Sequence, residues 1–285
     1  MKPSHILRQR GTGHLEPRLA LTYAMVHDVP EQALTLEQLE QPQVLQALRA
    51  GALPVGSVAF VQRALDLLGL CPSPPVSTYP EALRAHLRRD VVLVRKDQAL
   101  RQKGPFFVKP DSVKAFTGFV CQDAAQLGMA LGVSDELPHL KSYFQEQEAA
   151  LQALPPDALV WLCEPVRWLR EFRCYVHSGE VLGVACYQEA PDLGPSQRLE
   201  LDWASVQAMV QTYAPQAPVA YALDVGVLEN GQTALVEIND GWALGLYDSV
   251  LSRERYIEML QARWHQIWSL GQSGRDKAAG EALPL

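Results

Sequence analysis

Apolar positions recur along this chain at two spacings, one near 3.6 residues and one of two, and their order predicts helices alternating with strands. The pattern is weakest in the first fifty residues, where the stretch from Leu21 to Gly51 suggests a strand and then a polar helix. From Pro54 it sharpens. Ser57 is placed to cap a helix that carries Val58, Val61, Ala64, Leu65 and Leu68 on one stripe, and Gly69 with the prolines after it closes that helix. The Gly56-Ser57 start reads as an ordinary cap, with an anion site as the alternative. A short helix follows over Pro80–Leu87, then a buried strand over Asp90–Lys96.

After about residue 100 the texture changes to strands with tight turns. Phe106–Pro110 and Phe119–Gln122 form a hairpin around the polar loop "DSVKAFTG". A helix over Ser142–Leu154, an apolar strand over Ala158–Val166 and two strands joined at Ser178-Gly179 come next. Trp203, Val206, Met209, Val210 and Tyr213 mark another helix. A second hairpin, Tyr221–Asn239, is expected to turn on Asn230-Gly231. The last helix, from about Ser249 to Leu270, buries Tyr256, Ile257, Leu260, Trp264, Ile267 and Trp268, and residues 271–285 carry too little apolar surface to order themselves.

Composition narrows the function classes. The 285 residues suffice for one large domain or two modest ones. Cys71, Cys121, Cys163, Cys174 and Cys186 are odd in number and contain no C-x-x-C pair, which argues against a disulfide framework or a zinc site and for thiols in a reducing, cytoplasmic compartment. No apolar run reaches the ~20 residues of a membrane span. A net charge of −7 without a Lys/Arg-rich run offers no general footprint for nucleic-acid backbone, a local basic groove being the alternative, and the lack of an apolar run argues against a membrane partner. An anionic ligand would have to be held by a few placed cations.

The second hairpin supplies candidate chemistry. A two-residue turn at Asn230-Gly231 sets Glu229 opposite Gln232 and therefore Asp224 opposite Glu237. Directly opposed Cβ atoms lie ~4.5–5.5 Å apart, so two carboxylates there repel unless a proton or cation sits between them. Asn239 shares the face of Glu237, and Asp224, Glu237 and Asn239 together form an oxygen donor set suited to Mg²⁺ completed by phosphate. The alternative is two exposed acids relaxed by solvent. Lys109 and Lys114 flank the first hairpin's loop, where Gly118 would let backbone amides approach an anion. Arg173 alternates with Glu171 and Tyr175 on one strand face and could clamp phosphate or carboxylate, or pair with Glu171.

In their order, "PVGSVAFV", "FVKPDSVKAFTG", "LCEPV", "EFRCYV" and "EINDGWALGLYD" resemble the ATP-grasp superfamily, and more narrowly its clade named for two arginines and a lysine. The resemblance spans about residues 54–250. It implies an α+β ATP-grasp fold, two α/β subdomains clasping ATP, with an N-terminal α/β region over 1–100, an ATP-grasp domain over 101–270 and a flexible tail over 271–285. Lys109 and Lys114 would contact the ATP phosphates under a closing loop. Glu164, with the backbone of Pro165 and Val166, would line the adenine pocket, with Glu171 also in the nucleotide site. Asp224, Glu237 and Asn239 would hold Mg²⁺. Arg173 and Lys114 would be catalytic, stabilising charge on the transferred phosphoryl group. The implied activity is an ATP-dependent ligase that joins a small-molecule or peptide carboxylate to an amine or thiol through an acyl-phosphate. The alternatives are a small-molecule kinase and a non-catalytic nucleotide-binding or interaction module. Arg95, Arg167, Arg170 and Arg198 are candidate carboxylate holders, and Trp242, Gly245 and Tyr247 are candidates for the acceptor side.

Overall fold

A computed structural model of the chain describes residues 2–111, 115–124, 138–194, 200–248 and 250–281, with 138–141 and 272–281 described by backbone alone. The chain divides into two units: residues 1–86 with 168–285, and residues 87–167. The boundary expected near residue 100 falls inside the second unit.

The first unit opens with a parallel sheet in the order β2-β1-β3, from β1 (Ile6–Gln9), β2 (Glu31–Leu34) and β3 (Leu53–Val55). Parallel neighbours need crossover connections. Helix α1 (Leu15–His27) supplies the first, and α2 (Pro42–Arg49) lies on the second. The stretch from Leu21 expected to start as a strand is thus the second half of α1. Ala20, Tyr23 and Ala24 are its buried stripe, and a strand reading would have set Tyr23 and Ala24 on opposite faces. Helix α3 (Val58–Leu68) forms as its pattern predicts: Ser57 Oγ accepts from Phe60 N at 3.3 Å, and Gly69 ends the helix in the left-handed region at φ 58°. Ser57 Oγ is an ordinary cap.

The same unit holds an antiparallel sheet in the order β11-β10-β8-β9, from β8 (Trp168–His177), β9 (Glu180–Glu189), β10 (Ala220–Leu228) and β11 (Thr233–Asp240). Strands β8 and β9 meet at Ser178-Gly179, both with positive φ as a two-residue hairpin requires. On one face of this sheet Tyr175, Ala185, Ala220 and Ala222 join the core formed with the parallel sheet, α1 and α3. The opposite face packs α6 (Trp203–Tyr213), whose Tyr213 ring meets Tyr221 edge-on at 5.2 Å. Helix α7 (Arg253–Glu281) buries Tyr256, Ile257, Leu260, Trp264 and Ile267 as its stripe predicts, and runs past the expected end at Leu270. Arg263 on α7 is fully buried. It forks onto Asp240 at 2.7 Å through both Nε and Nη2, and donates to the carbonyls of Ser73 and Pro74 at 2.9 Å, so the proline-rich loop after α3 is clipped to the core by a satisfied cation.

The second unit is an antiparallel sheet in the order β4-β7-β5-β6, from β4 (Val91–Arg95), β5 (Phe106–Pro110), β6 (Phe119–Cys121) and β7 (Leu159–Cys163), with the short α4 (Lys96–Ala99) and α5 (Pro138–Ala153). Phe106, Val108, Phe119, Cys121 and Val160 share its core with Leu151 of α5. Lys96 is buried yet satisfied, its Nζ donating to the carbonyls of Gln152 and Leu154.

Candidate active site

The central sheet changes character along one face. Pairing of β8 with β10 sets Ala220, Ala222, Asp224 and Gly226 beside His177, Tyr175, Arg173 and Glu171 in turn. Because side chains alternate, these all project to one side. The end with Ala220, Ala222 and Tyr175 is apolar core, and the end with Arg173, Asp224 and Glu171 is ionic.

Asp224 does stand opposite Glu237, but by a different route from the one expected. Gly231 N donates to Leu228 O at 2.8 Å and Leu228 N to Gln232 O at 2.9 Å, so the loop holds Glu229, Asn230 and Gly231 rather than two residues. Gly231 takes φ 80°, and Asn230 Oδ1 accepts from Gln232 N at 3.0 Å, which favours this longer loop. Leu235 then pairs with Val225. A bulge between Val225 and Asp224 sets Val236 outside the ladder and restores the Asp224–Glu237 pairing. The two departures from the expected register cancel.

Asp224 is 1% exposed and engaged on both oxygens. Arg173 donates to it as a fork, Nε to Oδ1 at 2.8 Å and Nη2 to Oδ2 at 2.6 Å. Arg173 therefore pairs with Asp224 across the strands, not with Glu171. Burial pulls the guanidinium down, and the hydrogen bonds and charge of Asp224 more than offset it, so Arg173 stays charged. Asn239 Nδ2 donates to Asp224 Oδ2 and to Glu237 Oε1, both at 2.9 Å. One atom position thus touches both carboxylates. Rotating the amide by half a turn would present Asn239 Oδ1 to the same point, and which amide atom faces it follows from the surrounding hydrogen bonds. Two carboxylate oxygens and an amide oxygen converging there fit a hard dication such as Mg²⁺. Among the described residues no three His, Cys, Asp or Glu side chains form a metal cluster.

Aromatic side chains wall the ionic end. Tyr187 and Tyr247 stack with centroids 5.2 Å apart, and the Arg173 guanidinium lies 5.1 Å from the Tyr247 ring and 6.0 Å from that of Tyr187. Tyr187 donates its hydroxyl to Glu171 Oε2 at 2.9 Å. Burial, then the charges of Asp224 and Glu171, push the Tyr187 phenol far up, so it remains a donor. Burial pushes Tyr175 up to about 12. Its hydroxyl donates to Gly245 O at 2.8 Å and accepts from Tyr247 N at 2.9 Å, pinning the loop after β11. Sequence spacing put Tyr175 on this face; the part played by Tyr187 had no sequence signal, because β9 reads as an ordinary strand.

Lys109, Glu164, Pro165 and Val166 lie in the second unit. Lys109 sits on β5 directly opposite Trp161, on the sheet face turned away from Val108 and the core. Trp161 Nε1 donates to Asp111 Oδ1 at 2.8 Å. An added Cβ at Gly118 would fall 2.5 Å from the Phe107 ring and 3.0 Å from Lys109 Cβ, so the room left by Gly118 is taken by Phe107 rather than kept for an anion. Glu164 is exposed just after β7. Its Oε2 accepts from Asp90 N at 3.2 Å while its own N donates to Asp90 O at 2.8 Å. Pro165 and Val166 are half-buried, shortly before the chain passes from the second unit to the first at Trp168. Lys114 and Arg198 lie outside the described residues. Of the other arginines, Arg95 pairs with Asp97 at 2.6 Å and Arg170 with Glu189 at 2.9 Å.

No curated protein matches the chain. Among solved structures it is similar to a D-alanine–D-alanine ligase from Bacillus anthracis complexed with ATP (16% identity, TM-score 0.48, 96% of this chain and 99% of that one). It is also similar to an L-amino acid ligase from Bacillus licheniformis (12%, 0.49, 84% and 69%) and to the macrocyclase MdnC from Microcystis aeruginosa bound with precursor peptide MdnA (10%, 0.46, 92% and 99%). The sequence model of the family described as "ATP-grasp domain, R2K clade family 2" matches residues 86–259, more than half of the chain. The chain therefore belongs to the ATP-grasp superfamily, within family 2 of its R2K clade, and its fold is the ATP-grasp fold.

Proposed function

We propose that this protein is an ATP-dependent ligase that activates a carboxylate by phosphorylation and transfers the acyl group to an amine or thiol. The observation that carries the reading is the convergence of Asp224, Glu237, Asn239 and Arg173 on the ionic end of one sheet face in a chain of this family. Asp224, Glu237 and Asn239 would hold Mg²⁺, which when bound neutralises charge on the β- and γ-phosphates. Lys109 and Lys114 would bind phosphate oxygens, and Glu164, Pro165, Val166 and Glu171 would complete the nucleotide site.

Arg173 is the catalytic group in this reading. Its fork onto Asp224 fixes the guanidinium in place, which gives electrostatic stabilisation without reorganisation as charge develops. A substrate carboxylate oxygen attacks the γ-phosphorus, ADP leaves, and the acyl-phosphate is attacked by the nucleophile, which loses a proton as phosphate departs. Phosphoryl transfer of this kind needs positioned charge rather than a covalent protein intermediate.

The test is ADP formation by the purified chain with Mg²⁺, ATP and a panel of carboxylic acids in hydroxylamine. Hydroxamate produced only with ATP and Mg²⁺, and abolished in Glu237→Gln, is the expected result. A phosphorylated product without hydroxamate would move the reading to a kinase. Neither product, with no ATP binding, would leave a non-catalytic module.

A further inference from the structure

Arg263 lies within α7 with no exposed surface, and a guanidinium carries five N–H groups that all need acceptors there. They have them. Nε and Nη2 fork onto Asp240 at 2.7 Å, and Nη2 also donates to Pro74 O at 2.9 Å. Nη1 donates to Ser73 O at 2.9 Å and to Gln266 Oε1 at 2.7 Å. Gln266 Oε1 in turn accepts from Val219 N at 3.1 Å, one residue before β10.

This network holds the end of β11. That strand is the outer one of its sheet, so a ladder to β10 fixes it on one edge alone. On the other, Ile238 N donates to Thr78 O at 2.9 Å, and Thr78 belongs to the loop whose Ser73 and Pro74 carbonyls Arg263 holds. Just after Asp240 the backbone at Gly241 runs so close to β10 that an added Cβ would stand 2.2 Å from Ala220 O. Residues 237–239 are therefore bracketed by Thr78 at Ile238, Arg263 at Asp240 and Ala220 at Gly241. Because side chains alternate, Ile238 and Asp240 face away from Glu237 and Asn239. Arg263 grips the strand from the side opposite the oxygen donors.

Replacing a buried ion pair by apolar residues is often neutral for stability, so stability alone does not account for a charge kept here. What a fully satisfied pair adds is one defined geometry. Asn239 Nδ2 lies 2.9 Å from both Asp224 and Glu237, a placement that a small shift of β11 would undo. We propose that Arg263 is a positioning residue for the metal site: through Asp240 and the loop of residues 73–78 it holds β11 so that Glu237 and Asn239 meet Asp224 around one Mg²⁺. This rests on the metal assignment above and extends it to a residue beyond the family match, which ends at residue 259.

The experiment measures ADP affinity of the full chain by titration calorimetry, once in EDTA and once with Mn²⁺ standing in for Mg²⁺. Arg263→Lys keeps a cation but cannot fork, and the double variant Arg263→Met with Asp240→Leu replaces the pair by apolar side chains. Urea unfolding is run beside both, and the double variant should be about as stable as the parent. Both should bind ADP in EDTA as the parent does, yet about tenfold more weakly than the parent with Mn²⁺, as loss of an outer partner of a metal ligand does. A stable variant that keeps the parent's gain from Mn²⁺ would overturn the proposal. A chain that folds in neither variant would make Arg263 a determinant of the fold, and would overturn it too. Glu237→Gln separates the two readings. If it loses the gain while the Arg263 variants keep it, only the inference fails; if it keeps the gain, or the parent has none, the metal assignment fails with it.

Discussion

Asp224 is the residue on which the ionic end of the sheet depends. It is 1% exposed and accepts hydrogen bonds from Arg173 and Asn239. Removing Arg173 leaves a buried carboxylate short of its counter-ion, and breaking such a pair costs about 3–5 kcal/mol. Arg173→Met should therefore lower the unfolding free energy, read from urea denaturation, by an amount of that order. Adding Asp224→Leu to the same chain should recover much of the loss, because the orphaned charge goes too. If Arg173→Met alone is as stable as the parent, the fork is not structural. The residue types and the strand parity of this cluster were legible in the sequence, as Asp224, Glu237, Asn239 and Arg173 all fall on the face expected of them. The partner of Arg173 was not, because Glu171 and Asp224 are equally good partners until the strand order β11-β10-β8-β9 is known.

The elements themselves follow strong local signals where these exist. The cap at Ser57, the stripe of α3 and the αL glycine at Gly69 agree with one another, and the helix forms over the expected residues. Replacing Ser57 by Ala should cost about 1 kcal/mol, read from thermal unfolding, because Phe60 N loses its acceptor. At Gly231 the φ of 80° makes Gly231→Ala costly by about 1–2 kcal/mol, since an added Cβ crowds the following carbonyl in the left-handed region. The same variant tests whether the Asp224–Glu237 register depends on the loop: Mg²⁺-dependent ADP formation should fall with it. The bulge at Val236 had no sequence marker. It has neither glycine nor proline, and shows only in the pairing of β11 with β10. Helix α1 was misread for a related reason: its stripe of Ala20, Tyr23 and Ala24 is small and shallow, and becomes a buried face only against the core it shares with β1, β3 and α7.

On the scale of the whole molecule, burial of His5 and His177 has a measurable consequence. Desolvation lowers both imidazoles below the ordinary value of 6.5, with Glu31 opposing the shift at His5 and Glu258 at His177. The unfolded chain then binds more protons than the folded one as pH falls through about 6.5, so stability is complete above that value and declines below it. The unfolding midpoint should drop between about pH 7.5 and pH 5.5, and His177→Gln should flatten part of that slope. A slope unchanged in the variant would remove His177 from the account. What the sequence determined by itself is the set of elements with strong periodicity and the face each side chain takes within its strand, because these depend on covalent geometry and local spacing alone; the superfamily was legible through the resemblance of its motifs to known ones. What only the tertiary structure decided is which faces meet. Arg173 finds Asp224, Arg263 finds Asp240 and the loop at Ser73-Pro74, and Glu16 reaches Leu246 across the length of the chain. These partners are chosen by burial, since a charge taken out of water must be matched by whatever polar group the packed core brings beside it.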